Sequence, residues 1–457
     1  MKASRYNRLF RTADGAWLAF NGWSTALAEI IPEQVPFFEA LLADPDGVPC
    51  DTEEKREIRE AMIEAHFLIP DGMDELATLK ADILRDRFTR DYLYLTIAPT
   101  LDCNFRCDYC YEDHFRITMS KTVEEALVRW VERGIRTSGD LHVTWYGGEP
   151  LLPAAYAVVE RLSEAFTRVA SERGVAYNAH LVTNAFLLDR AKMEALRRLG
   201  VEKVQVTLDG PPETHDARRH LVGGQGTFRQ IIENVKNTVD LAEFQVRINV
   251  DRRNAKSVLD VMDILEKEGL RGKVRPYLAQ VLSSGAACGN IHELCYSSEE
   301  FAKTELEIFR EAVEKGASGI VSYPFRLPGA YCSADRLNAF VVAPDGSLYK
   351  CWHEVTLTPE RSIGSVLDEQ EPFQKYNEDH WLRWDAFEKS GCRSCEILPM
   401  CHGGCPLEAM KDPGRDRGAC EHYKFHLGPL LELRYLAHSG DARSGGARSG
   451  EPEDAEK

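Results

Sequence analysis

Three absences narrow the reading of this 457-residue chain. It has no run of about 18 apolar residues, so no membrane-spanning helix is expected. It has no excess of basic residues: the net charge is -17, which disfavours a nucleic-acid partner held through its phosphates. Its opening, "MKASRYNRLFRTADG", lacks the apolar core of a secretory signal. A cytoplasmic protein is therefore expected, in a compartment where thiols stay reduced. What the chain does have is thirteen cysteines. In such a compartment, ligation of a metal or cluster explains them better than disulfides do.

At roughly 100–200 residues per domain, the length allows two to four domains. Residues 1–90 read as a small N-terminal α+β module. "GAWLAFNG" suggests a strand or hairpin, "PEQVPFFEALLADPDG" a short helix, and "TEEKREIREAMIEAHFLIPDG" a second helix capped by Thr52. From residue 91 to 320 strand-like runs alternate with helical stretches. The strands are "LYLTIAPT", "LHVTWYGG", "AHLVTN", "VQVTLDG", "VRINVD" and "VRPYLAQV". Six strand–helix units predict an α/β fold with a parallel sheet, open or curled into a partial TIM-like (β/α)6 barrel. The chemistry of such sheets sits at the carboxyl ends of the strands. Residues 321–425 form a cysteine-rich domain, and residues 426–457, rich in Gly, Ser and charge, read as a disordered tail.

A further absence lies inside "CNFRCDYCYE". Cys103, Cys107 and Cys110 follow the first strand with spacing C-x3-C-x2-C, and no fourth cysteine completes the set. Thiolates suit iron–sulfur clusters or zinc, but structural zinc normally takes four protein ligands. Three thiolates can hold three corners of a cubane and leave one iron open. With the aromatic Tyr109 before the last cysteine, this motif resembles the radical S-adenosylmethionine superfamily. The resemblance implies a [4Fe-4S] cluster whose open iron binds S-adenosylmethionine, and reductive cleavage to a 5′-deoxyadenosyl radical that abstracts hydrogen. It extends to "WYGGEP", where Gly147, Gly148, Glu149 and Pro150 match the glycine-rich motif that meets the methionine amino group. It also implies cofactor contacts at Asn184 and Thr207, at the ends of the third and fourth strands. Arg219 would reach the cofactor carboxylate, for which a guanidinium fork is suited.

Downstream, Cys332, Cys351, Cys392, Cys395, Cys401, Cys405 and Cys420 stand in an order that resembles the SPASM extension of these enzymes, which carries two auxiliary clusters. The resemblance assigns Cys392, Cys395, Cys401 and Cys420 to one complete cluster, and Cys332, Cys351 and Cys405 to the other. Three [4Fe-4S] clusters are thus expected. The fourth ligand of the last is left open: substrate, Cys288 or Cys295 could fill it. Cys50 stands outside both motifs.

The resemblance covers about residues 91–425 and is strongest to maturases of ribosomally made peptides. A precursor peptide is the expected substrate and a cross-link the expected product. The N-terminal module would capture the peptide by strand addition. A low-potential flavodoxin or ferredoxin is the expected electron donor. Two alternatives remain: an anaerobic sulfatase maturase, and an electron-transfer protein without a substrate. Sulfatase maturases place an aspartate after the second SPASM cysteine, whereas this chain reads Cys351-Trp352-His353-Glu354. His353 and Glu354 are able to move protons, but no catalytic residue is assigned.

Overall fold

The structure, a computed structural model, describes residues 1–135, 139–282, 289–368 and 376–444. The chain forms two compact units that interleave along the sequence. One contains Met1–Arg87, Ser322–Cys332 and the chain from Trp384 onward; the other contains Phe88–Val321 and Ser333–Arg383.

The second unit is built on a parallel sheet. Strands β1 (Tyr92–Ile97), β2 (Asp140–Trp145), β3 (Tyr177–Val182), β4 (Val201–Thr207), β5 (Glu243–Val250) and β6 (Val274–Gln280) lie side by side in sequence order, all parallel. Each coincides with one of the six runs read from the sequence. The alternation of the runs explains why. In β1, Leu93, Leu95 and Ile97 are buried while Tyr92, Tyr94 and Thr96 on the opposite face are half-buried, and β2 buries Leu141, Val143 and Trp145 in the same way. Each such side chain contributes roughly 1.5–3 kcal/mol on burial. Helices Lys121–Gly134, Pro153–Arg173, Arg190–Arg198, Phe228–Thr238, Val258–Lys267 and Ser298–Glu314 follow the six strands in turn. This is the partial (β/α)6 barrel.

The boundary expected at residue 320 does not hold as a simple cut. Strand β7 (Ala339–Val342), buried at all four positions, pairs in parallel with β1. Strands β8 (Ser347–Tyr349) and β9 (Gly364–Ser365) then extend the sheet antiparallel. An apolar strand and a free sheet edge draw this part of the cysteine-rich segment into the barrel unit.

The first unit holds a three-stranded antiparallel sheet, with Trp17–Asn21 central between Asn7–Arg11 and Leu27–Ile30. Helices Val35–Ala43, Glu53–Glu64 and Glu75–Phe88 follow it. The Thr52 hydroxyl caps the middle helix by accepting the Lys55 N–H. The N-terminal residues do not stand as a separate module: Tyr6, Trp23, Leu79 and Ile83 share one core with Trp384, Phe387, Cys392, Leu398 and Ala409. The tail expected from residue 426 is also corrected. Leu427–Ser444 is helical, and Leu427, Leu430, Leu431 and Leu433 are buried, because four leucines outweigh the polar composition around them. Residues 445–457 lie outside the described residues. No described helix is long and apolar enough to cross a membrane.

Candidate functional site

Two cysteine-bearing sites can be built from the residues upward, one in each unit. The first lies at the carboxyl ends of the barrel strands. The loop after β1 carries Cys103, Cys107 and Cys110, and its short strand Phe105–Cys107 pairs antiparallel with Arg219–Leu221. That ladder sets Arg219 opposite Cys107. The Arg219 guanidinium donates to the Tyr109 hydroxyl at 2.7 Å, while its buried Nε has no partner. A buried, incompletely satisfied guanidinium beside thiols is a ready receptor for an anionic group.

Tyr109 is held on all sides. Its hydroxyl donates to Asp209 at 2.5 Å and accepts from Asn249 at 3.1 Å, and Arg218 lies over its ring at 4.9 Å. Arg218 in turn donates to Asp251 at 2.7 Å. The side chain is thus an anchor for the cysteine loop. Burial pushes the Cys103 thiol up to about 12, and raises Cys107 and Cys110 as well. Burial outweighs the pull of the nearby Arg219 guanidinium, so these thiols resist ionisation; iron bound to them would add positive charge that favours the thiolates. Among the described residues, no three Cys, His, Asp or Glu side chains converge as a single metal ion would require.

The loop after β2 forms the opposite wall. Gly147 (φ +84°) and Gly148 (φ +52°) take left-handed conformations, and a Cβ at Gly148 would fall 2.2 Å from the Asp102 carbonyl oxygen. Only glycine fits this approach to the cysteine loop. The Gly148 N–H donates to Glu112 Oε2 at 2.8 Å. Glu112 also accepts the Tyr146 hydroxyl, and burial lifts its carboxyl to about 7. The Tyr146 hydroxyl bonds that of Tyr111. Glu112 was not foreseen: nothing in "CYED" separates it from a surface acid, and its role arises only when Gly148 returns to it.

Glu149 is buried, accepting the Thr183 hydroxyl at 2.6 Å and the backbone N–H groups of Asn184 (2.8 Å) and Leu151 (3.0 Å). Burial raises its carboxyl. Pro150 follows it, buried. Asn184 Oδ1 accepts the Phe186 N–H across Ala185, a left-handed residue (φ +59°). This fixes the Asn184 amide, which donates to Asn104 Oδ1 at 2.8 Å and lies 3.9 Å from the Cys103 sulfur. Thr207 is buried at the end of β4. The strand ends therefore bring Cys103, Glu149, Asn184 and Arg219 around one cysteine loop. Its incompletely satisfied guanidinium and glycine cradle fit an amino-acid cofactor beside a cluster.

Past β8, the segment after Cys351 returns to this site. His353 stacks on Tyr111 (centroids 3.9 Å, 19°), and Trp352 packs on Tyr146 (4.9 Å, 35°). Glu354 is tied to Arg361 at 2.6 Å. Cys295 packs against the Val281–Ile291 cluster, as do Tyr109 and Tyr111. Cys288 lies outside the described residues.

The second site lies in the first unit. Cys392, Cys395, Cys401 and Cys420 together line one small cavity, with Gly391, Gly403, Gly418, Arg417 and Lys424. Its wall depends on close backbone approach: a Cβ at Gly404 would fall 1.6 Å from the Ala419 carbonyl oxygen, and one at Gly418 2.0 Å from that of Gly403. The Gly418 N–H donates to Cys392 Sγ at 3.1 Å, and Lys424 Nζ to Cys420 Sγ at 3.4 Å. Four thiols, donors to sulfur and two cations suit an anionic cluster. Of the remaining set, Cys332 and Cys405 belong to this unit and Cys351 to the other. Cys50 lies in the N-terminal apolar core, beside Val48 and Ile58.

Comparison with known proteins agrees with this geometry. Residues 97–265 match the Radical SAM superfamily model. The chain is 24% identical over 355 residues to the serine-type anaerobic sulfatase-maturating enzyme of Klebsiella aerogenes, covering 73% of this chain and 84% of that one. Its fold matches that of anSMEcpe, solved with bound AdoMet (TM-score 0.59, 20% identity, 77% of this chain, 99% of that one). It also matches that of Streptococcus suis SuiB, solved with precursor peptide SuiA (TM-score 0.50, 14% identity, 92% and 99%).

Proposed function

Taking as premise that the chain is an enzyme with a radical SAM domain over residues 97–265, we propose that it matures a ribosomally made precursor peptide, most simply by installing a cross-link. When bound, S-adenosylmethionine and a [4Fe-4S] cluster supply one-electron cleavage and a hydrogen-abstracting radical. The chain's own part is to bind, orient and shield. Cys103, Cys107 and Cys110 hold the cluster. Glu149 and the Gly147–Gly148 turn receive the cofactor amino group, Arg219 its carboxylate, and Asn184 and Thr207 line the site. Cys392, Cys395, Cys401 and Cys420 hold an auxiliary cluster. A flavodoxin or ferredoxin delivers the electron.

The observation that carries the peptide reading is the residue after Cys351. An aspartate there would serve formylglycine formation; Trp352, packed on Tyr146, replaces it with an aromatic ring. SuiB, which binds a precursor peptide, matches over more of the chain than anSMEcpe does. A leader would add to the strand Leu27–Ile30, an edge of its sheet. The test is anaerobic co-expression with short open reading frames beside the gene. A peptide lighter by about two hydrogens is expected for a cross-link; unmodified peptides throughout would overturn the reading. The sulfatase-maturating relatives favour a second reading, formylglycine formation. Conversion of a sulfatase peptide's serine or cysteine to an aldehyde would establish it.

A further inference from the structure

We propose that Trp352 is a specificity-determining residue whose open face receives an aromatic or branched apolar side chain of the precursor peptide. This rests on the peptide-maturase reading and names the residue class that such a maturase selects.

The placement comes first. Trp352 packs on Tyr146, the residue before the glycine cradle, and its neighbour His353 stacks on Tyr111, the residue after Cys110. The aromatic wall is therefore attached to both halves of the cofactor site. A substrate atom must come close to that site to lose hydrogen, so the side chain being modified passes this wall.

Exposure comes second. Trp352 is 42% exposed, one of few large apolar side chains left in solvent. Tyr146 packs on part of the indole, and a substantial part of its surface stays open. An exposed aromatic ring is a frequent anchor in recognition of protein partners.

The ring is also held rigidly. Lys350 is fully buried and donates to the Ala339 carbonyl at 2.8 Å, fixing the backbone before Cys351. On the other side, the Glu354–Arg361 pair closes the short helix Trp352–Glu354. The hydroxyls of Tyr111 and Tyr146 bond each other, and that of Tyr146 also bonds Glu112, so the wall offers ring surface to a ligand. The ring thus loses little further freedom on binding. A flat, uncharged, pre-ordered surface selects apolar and aromatic groups over a bare serine or an acid.

The test uses the reconstituted full chain and an mRNA-displayed library of random peptides. Wild type is expected to enrich peptides with Trp, Phe, Tyr, Leu or Ile at one position. Trp352→Ser is expected to lose that enrichment by roughly tenfold, and Trp352→Phe to restore it. Equal iron content and circular dichroism in all three proteins establish that the fold is intact. Unchanged enrichment in Trp352→Ser, or selection of acidic peptides by wild type, overturns the assignment. The enriched peptides are then given to the loaded enzyme. A mass change supports the maturase reading, and its absence overturns that reading while the selectivity result stands by itself.

Discussion

Gly148 meets the cysteine loop with no space for a side chain. Gly148→Ala must relieve a 2.2 Å approach to a backbone oxygen at positive φ, and it breaks the geometry that presents Glu149. A loss of S-adenosylmethionine affinity of at least roughly tenfold is expected, measured by equilibrium dialysis with cluster-loaded protein. His215 makes a different prediction. It is fully buried, its Nδ1 accepts the Asp209 N–H at 3.2 Å, and burial drives its pKa down to about 3. The folded value lies below the unfolded one, near 6.5, so the unfolded chain binds the extra proton first. Stability is full above that value and falls as pH drops toward 3. Between pH 7 and 5 the loss is about 2 kcal/mol. His215→Asn, whose Oδ1 can still accept that N–H, is expected to flatten the fall in Tm over this range. The residues proposed to touch ligands could be picked out of the sequence because their motifs sit at strand ends. Glu112, Asp209 and Arg218 were not, since each acquires its role from a partner distant in sequence: Glu112 from Gly148, Asp209 from Tyr109, Arg218 from Asp251.

Among elements, the four-cysteine loop system and the edge strand each make a prediction. Gly404 and Gly418 let two loops touch beneath the cavity. Gly404→Ala, like Cys401→Ala, is expected to cost one cluster's worth of iron while S-adenosylmethionine binding persists; iron assay and dialysis check both. In the edge strand, the Asn21 N–H bonds the Ala26 carbonyl, and the register pairs Ala19 with Ala28 and Leu18 with Glu29. Antiparallel alternation then turns the N–H groups of Leu27 and Glu29 toward the open edge. Glu29→Pro removes one such donor without breaking the inner ladder. It is expected to weaken precursor binding about tenfold in a titration with labelled leader, leaving uncoupled cofactor cleavage in place. The six barrel strands could be read from alternation alone. Strand β7 could not: its short apolar run joins β1 only once the barrel supplies an edge. The helix Glu75–Phe88 escaped notice because its apolar stripe is thin, with Leu79 and Ile83 as its buried aliphatics.

At the scale of the molecule, the shared core changes what can be learned by truncation. Removing the N-terminal residues would strip Tyr6, Trp23, Leu79 and Ile83 from the cluster that includes Leu398 and Cys392. Such a deletion reports on folding of the cysteine domain rather than on peptide capture. Leu79→Ala, at a fully buried position, is expected to cost about 2–5 kcal/mol, seen as a lower Tm together with loss of auxiliary iron. Composition hid this union, because the partners are separated by the whole barrel.

That separation sets an order of assembly on the ribosome. Arg87 and Trp384 belong to one unit, with nearly the entire barrel synthesised between them. At roughly 5–20 residues per second, the first segment emerges tens of seconds before its partner. The barrel can close and gather its cysteines in that interval, while the N-terminal apolar face waits. The four-thiol cavity takes shape last, so a cluster proposed for it would be loaded after the cysteine loop of the barrel has already formed.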